Sequence, residues 1–188
     1  MIKGVIFDLD GTLVDSPLDF ARIRKEIGCD RGLVLEFIDS LPSPRREECH
    51  GILLGHELRA ADEAVLKRGA FELCRFIEEA GLKKALVTRN CRAAVGIVCT
   101  RLGLKFDVVI CREDAPPKPS PEPLLKAARA MGLEPAALLH VGDTSFDHEA
   151  AERAGVRSFV LKPGSREPHA IDSLLQVMTY LREENLVE

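Results

Sequence analysis

The sequence has no paired-cysteine motif, no long apolar run and no excess of basic residues, and each absence removes a class of protein. Its six cysteines (Cys29, Cys49, Cys74, Cys91, Cys99, Cys111) are scattered without a CxxC pair, so no spacing matches a zinc finger or ribbon. No secretory signal is readable, because Asp8 and Asp10 interrupt the only apolar N-terminal stretch. The thiols are therefore expected to be reduced and the protein cytoplasmic. The longest apolar run, Ala93 to Cys99 with Gly96 inside it, falls far below the roughly 18 residues that a membrane-spanning helix requires. Lys and Arg number 26 against 30 Asp and Glu, a formal charge of −4. That mild acidity argues against a nucleic-acid partner, which would want a basic face. Glycine and proline, 14 and 11 of 188 residues, sit near their usual share, so nothing fibrous or of low complexity is expected.

What is present has an ordinary globular balance, 46% hydrophobic and 30% charged. The 188 residues suit one domain, or one domain with a small insert. A chain of this size buries roughly 70% of its unfolded surface and builds a core without staples.

Five short apolar runs read as buried strands: Lys3–Phe7, Ala85–Thr88, Asp107–Cys111, Ala137–Val141 and Arg157–Leu161. Helical patterns separate and follow them over Ala70–Ala80, Ala93–Leu102, Ser120–Met131, Ser145–Ala154 and Ser173–Glu184. Four of these stop at Gly81, Gly103, Gly132 and Gly155. Alternating strands and helices predict an α/β fold, a doubly wound parallel-sheet Rossmann-like core. One stretch breaks the rhythm. Roughly 55 residues without a clear strand lie between the first strand and the Ala70 helix, with helical patterns over Leu18–Ile27, Leu33–Leu41 and Arg45–Leu66. A crossover needs far less. Residues 16–67 are therefore expected to form a small helical insert above the first strand, with 1–15 and 68–188 forming the core.

The chemistry gathers at strand ends, where open α/β sheets bind ligands. Asp8-Leu9-Asp10-Gly11-Thr12 ends the first strand. Carboxylates at i and i+2 on an extended chain point to one side. Such a pair divides labour, one acid as nucleophile and the other as general acid and then base. A βα turn with a surface Asp-Gly would give the same string. Gly142-Asp143-Thr144-Ser145-Phe146-Asp147 ends the fourth strand. Hard cations such as Mg²⁺ take carboxylate oxygens, so Asp143 is a candidate ligand. Asp147 is either its support or a helix N-terminal charge. Thr88 ends the second strand, followed by Arg89 and Asn90. A hydroxyl and backbone N–H groups would cradle phosphate there, or would simply start a helix. Lys118 sits among Pro116, Pro117, Pro119 and Pro121, a setting that fixes where a cation points. Acids, a hydroxyl and a lysine around one point suit phosphoryl transfer.

In this order the motifs resemble the haloacid dehalogenase superfamily, specifically its Mg²⁺-dependent phosphatases with a helical cap after the first motif, phosphoglycolate phosphatase-like. The resemblance rests on Asp8–Thr12, Thr88, Lys118-Pro119 and Gly142–Asp147. It implies that Asp8 is the nucleophile and that Asp10 protonates the leaving group, then activates water. It implies that Thr88 and Lys118 hold the phosphoryl group, with Asn90 adding a phosphate or backbone contact. Mg²⁺ would be bound by the Asp8 carboxylate, the Asp10 main-chain carbonyl and Asp143, with Asp147 behind. Asp10 argues against dehalogenation, since halide leaves without a proton. The same residues would serve a β-phosphoglucomutase-like mutase that returns the phosphoryl group, and a non-catalytic binding protein on this scaffold is a weaker reading. The expected partner is a small phosphorylated metabolite, with no nucleic acid and no membrane. Monomer and homodimer are equally compatible with the sequence.

Within the insert, Arg45 and Arg46 follow the loop Leu41–Pro44. They would either meet a second anionic group of the substrate or form a surface pair at a helix start. His50, His56 and Lys25 read as surface or core residues without a chemical role.

Overall fold

The computed structural model describes residues 1–186. Its centre is a parallel six-stranded sheet. In chain order the strands are β1 (Gly4–Phe7), β4 (Lys83–Val87), β5 (Val108–Ile110), β6 (Leu138–Gly142), β7 (Arg157–Leu161) and β8 (Ala170–Ile171). The spatial order is β5-β4-β1-β6-β7-β8. Each neighbouring pair runs parallel, Phe7 standing opposite Leu86 on one side and Val141 on the other. The chain leaves β1 for β4 and β5 on one flank, then crosses to β6 on the other. That reversal beside β1 is the switch point at which such sheets bind ligands.

Alternation along each strand distributes side chains to two layers. Val5, Phe7, Leu86, Leu139 and Val141 belong to one apolar cluster with helices α4 (Ala70–Glu79), α5 (Arg92–Leu102) and α8 (Leu174–Leu186). Ile6, Ala85 and Val87 belong to the other, with α6 (Glu122–Met131) and α7 (Ser145–Ala154). The core is thus doubly wound, as expected. Helices α5, α6 and α7 end on Gly103, Gly132 and Gly155 in the left-handed conformation, which satisfies their last carbonyls.

The stretch before α4 contains α1 (Phe20–Ile27), α2 (Val34–Ser40) and α3 (Arg45–Glu63). These helices share a separate cluster of Ile23, Ile27, Cys29, Val34, Ile38, Cys49 and Leu53. A two-stranded antiparallel ribbon joins them to the sheet: β2 (Val14–Asp15) pairs with β3 (Val65–Leu66). Two expectations are corrected here. The third helical pattern stops at Glu63 rather than Leu66, and the stretch does contain strands. Elements of two residues are too short for alternation to register, and β8 escaped for the same reason. Helix α6 starts at Glu122, two residues later than its Ser120 signal. Its Pro123 still falls in the first turn, where no N–H is needed.

All six cysteines are free. No helix of the described residues is long and apolar enough to cross a membrane.

Helix α4 supplies a test of the layer assignment. Ile77 is fully buried, whereas Phe71, part of the same helical pattern, is 58% exposed. In urea denaturation Ile77→Ala is expected to cost about 2–5 kcal/mol, and Phe71→Ala less than about 0.5 kcal/mol.

Candidate active site

The chain after β1 makes a tight turn instead of continuing extended. Asp8 N–H donates to Val141 O (2.9 Å), Leu13 and Val14 N–H return to Leu9 O (2.9 and 3.1 Å), and Gly11 N–H reaches Val14 O (2.8 Å). Gly11 adopts φ +82°, and a Cβ there would meet Asp143 Oδ2 at 2.1 Å. Glycine is therefore required twice over, by conformation and by the approach of Asp143. The turn, rather than an extended strand, brings both Asp8 and Asp10 to the wall of one cavity of about 290 Å³, shared with Thr88, Asn90, Lys118, Asp143 and Asp147.

Lys118 is the centre of this cluster. Its Nζ donates to Asp8 Oδ1 (2.6 Å), Asp147 Oδ1 (2.6 Å) and Val87 O (3.0 Å). Three donors meet three acceptors, so the buried ammonium is fully satisfied. Asp147 divides its two oxygens. Oδ2 accepts from the Thr144 N–H (3.1 Å) and hydroxyl (2.6 Å), capping α7, while Oδ1 faces Lys118 and His140 Nε2 (3.1 Å). The helix-charge and supporting readings of Asp147 are therefore compatible. Gly142 makes room for it, since a Cβ there would lie 2.2 Å from Asp147 Cγ. Asp10 has its carboxylate oxygens held by Ser16 Oγ (2.6 Å) and Asn90 Nδ2 (2.9 Å). Thr88 Oγ1 accepts from Asn90 N–H (3.0 Å), and Asn90 Oδ1 accepts from Cys91 N–H (2.8 Å).

Charge explains the electrostatics. Burial pushes the Asp8 carboxyl well above its ordinary range, Lys118 opposes this, and the carboxylates of Asp147 and Asp143 push the same way as burial. Burial, with Asp147 adding to it, raises Asp143 to about 6. Burial also resists ionisation of Asp147, but Lys118 and His140 outweigh it and hold that group well below its usual range. Lys118 stays charged because Asp8 and Asp147 overcome its own burial. The cluster thus holds more buried carboxylate than cation. That excess, made only of hard oxygen donors, fits Mg²⁺. Among the described residues no three His, Cys, Asp or Glu side chains converge as a metal cage. A site of two carboxylates and a main-chain carbonyl needs no such cage, because Mg²⁺ keeps several waters.

Several residues of the site carried no motif signal. His140, fully buried on β6, bonds Ile6 O through Nδ1 (3.1 Å) and Asp147 through Nε2. It stands two residues before Gly142, on the same strand face, so period-2 alternation from that glycine would have found it. Arg89 binds both carboxylate oxygens of Glu36 on α2 (2.8 and 3.0 Å), donates to the Lys118 carbonyl, and lies over the Phe146 ring (5.5 Å). Glu57 on α3 pairs with Arg112, and its second oxygen is buried without a partner. Burial raises its carboxyl despite the arginine.

Arg45 and Arg46 are not brought to the cavity. Arg45 bonds Glu48 (2.6 Å) and Ile27 O (3.1 Å), and Arg46 bonds Leu41 O (2.8 Å). Both are spent on bonds within α3 and to the ends of α1 and α2. His50 pairs with Asp39 and His56 with Glu26, while Lys25 lies on an exposed face.

A family model described as haloacid dehalogenase-like hydrolase matches residues 20–155. The chain belongs to this family. An N-acetylmuramic acid 6-phosphate phosphatase of Pseudomonas aeruginosa is 31% identical, over 89% of this chain and 84% of its own. A phosphoglycolate phosphatase of Aquifex aeolicus is 30% identical, over 84% and 83%. A solved hydrolase structure from Pseudomonas syringae shares the fold, with TM-score 0.78 and 22% identity over 96% and 98% of the two chains. The chain is a hydrolase of the haloacid dehalogenase-like class, with phosphatases among its relatives.

Replacing Lys118 tests the charge balance. Lys118→Met leaves Asp8 and Asp147 buried without a cation and is expected to cost about 3–5 kcal/mol in urea denaturation with chelator present. Asp147→Asn in that background should recover part of the loss. Carboxyls raised in the folded state bind more protons there than in the unfolded chain, so stability falls as pH rises. The Lys118→Met deficit is therefore expected to be larger at pH 8 than at pH 5.

Proposed function

We propose that the protein is a Mg²⁺-dependent phosphomonoester hydrolase of small phosphorylated metabolites, phosphoglycolate phosphatase-like, working in the cytoplasm. The observation that carries this reading is the buried Asp8–Lys118–Asp147 cluster beside Asp10, Thr88 and Asp143 on one cavity. Phosphatases among the relatives support it. Their substrates differ from one another, so the reading extends to the reaction and not to one metabolite.

In this reading Asp8 attacks phosphorus in line. The ester P–O bond breaks, and Asp10 gives its proton to the departing oxygen. Ser16 and Asn90 occupy one lone pair on each Asp10 oxygen, which leaves others for substrate and water. Asp10 then takes a proton from water as that water attacks the phosphoryl group, and the Asp8–phosphorus bond breaks to release phosphate. Thr88 and Lys118 hold the phosphoryl group, with Asn90 adding a contact. Lys118 orients the Asp8 carboxylate and turns the donor that Asp8 held toward the phosphoryl oxygens once the Asp8 oxygen is bonded to phosphorus. Asp8, the Asp10 main-chain carbonyl and Asp143 would hold Mg²⁺, with Asp147 holding Lys118 behind them. When bound, the cation supplies positive charge against the phosphoryl oxygens and the buried carboxylates. Residues 16–67 act as a cap that excludes water from the reacting groups. Arg89–Glu36 and Arg112–Glu57 fasten it to the core.

Phosphate release from a panel of small phosphate esters tests the reading. Release is expected with Mg²⁺, to be lost with chelator, and to be restored by added Mg²⁺. Asp8→Asn should abolish turnover, and Asp10→Asn should lower kcat by about 10²–10⁴-fold. Release that persists in Asp8→Asn, or that ignores the chelator, would sink the mechanism. An isomerised sugar phosphate in place of inorganic phosphate would make the enzyme a mutase.

A further inference from the structure

Three cationic side chains line the cavity: Lys118, Arg89 and Arg24. Two are already committed. Lys118 is held between Asp8 and Asp147, and Arg89 by Glu36 and the Lys118 carbonyl. Arg24 makes no ion pair or side-chain hydrogen bond among the described residues, although Arg22 on the same helix pairs with Glu26. Its own helical neighbours three and four positions away are Phe20, Ala21, Ile27 and Gly28, so no acid stands one turn from it.

Arg24 is half-buried and shares its cavity with many apolar side chains. Leu18, Phe20, Val34, Leu53 and Phe146 line the same cavity, and Phe20 lies one turn earlier on the Arg24 face of α1. A half-buried guanidinium gives up part of its hydration, and Arg24 gains no partner for it among the described residues. The opposite holds at the floor, where Asp8, Asp10, Asp143 and Asp147 crowd a single ammonium. A ligand with its phosphoryl group at Asp8 would therefore cross apolar surface and end at an unpaired cation. One guanidinium balances one negative charge in a fork that matches a carboxylate. A second phosphate would bring excess negative charge into a cavity already lined by five acids.

We infer that Arg24 determines specificity, receiving the carboxylate of a phosphate monoester whose middle portion is apolar. This rests on the phosphatase reading above and adds the substrate class.

Phenyl phosphate and its 3- and 4-carboxylated analogues probe this directly, with kcat/KM read from phosphate release in Mg²⁺. The wild type should favour at least one carboxylated ester over phenyl phosphate by about tenfold or more, the worth of a charge-assisted hydrogen bond. Arg24→Gln should bring that ratio to about one, mainly through KM, while Arg22→Gln keeps it. Should the glutamine variant fail to fold, Arg24→Lys carries the test and should lower the ratio severalfold, since it keeps the charge and loses the fork. A ratio near one in the wild type overturns the inference, as does a ratio that survives in Arg24→Gln or an equal slowing of all three esters. In those cases phosphate is still released and the phosphatase reading stands. No release from any ester by the wild type overturns both.

Discussion

The Lys118 ammonium, closed in by two carboxylates and a carbonyl, is the interaction on which the site depends. Its three acceptors come from the ends of β1 and β4 and from helix α7, so it ties together segments far apart in the chain. Buried carboxylates repel one another and resist ionisation. Only a cation between them lets Asp8 and Asp147 share the interior. Neighbouring features follow from making room for that arrangement. Gly142 is bare because Asp147 passes over it, and Gly11 because Asp143 does. His140 steadies Asp147 from behind, and Thr144 takes the oxygen that Lys118 does not use.

The cavity above this cluster is divided in character. Its floor is built from strand-end carboxylates, which favours a cation and a phosphoryl group. Its roof, from helices α1 to α3 and the loops before α1 and α2, is largely aliphatic and aromatic. Two arginines from beside the sheet reach acids of these helices, Arg89 to Glu36 and Arg112 to Glu57. The second pair is buried, so removing either partner alone would leave the other charge buried without compensation.

The parallel sheet was legible because five strands were apolar runs of ordinary length and their helices ended on glycine. Gly103, Gly132 and Gly155 marked those ends by chemistry that acts within a few residues. The strands that escaped, Val14–Asp15, Val65–Leu66 and Ala170–Ile171, have two residues each, and pairing across the fold makes them strands. The same contrast runs through the cavity. Asp8, Asp10, Thr88, Asp143 and Asp147 were legible because each belongs to a short string at a strand end, and Lys118 because prolines surround it. Arg24, Glu57, Arg89, Arg112 and His140 are isolated residues whose meaning is set by what faces them. Arg45 and Arg46, suggestive beside their loop, bond locally to Leu41, Glu48 and Ile27 rather than reaching the cavity.

The sequence by itself therefore determined the layers of the fold, the strand ends that carry chemistry, and the family to which the chain belongs. Periodicity, turn chemistry and motif spacing are all local properties of a chain. The tertiary structure alone decided which charges are paired. Lys118 is neutralised twice over, Arg89 and Arg112 are drawn to acids of α2 and α3, and Arg24 is left without a partner among the described residues that line the cavity. Pairing is a matter of distance across the fold, and no local pattern encodes it.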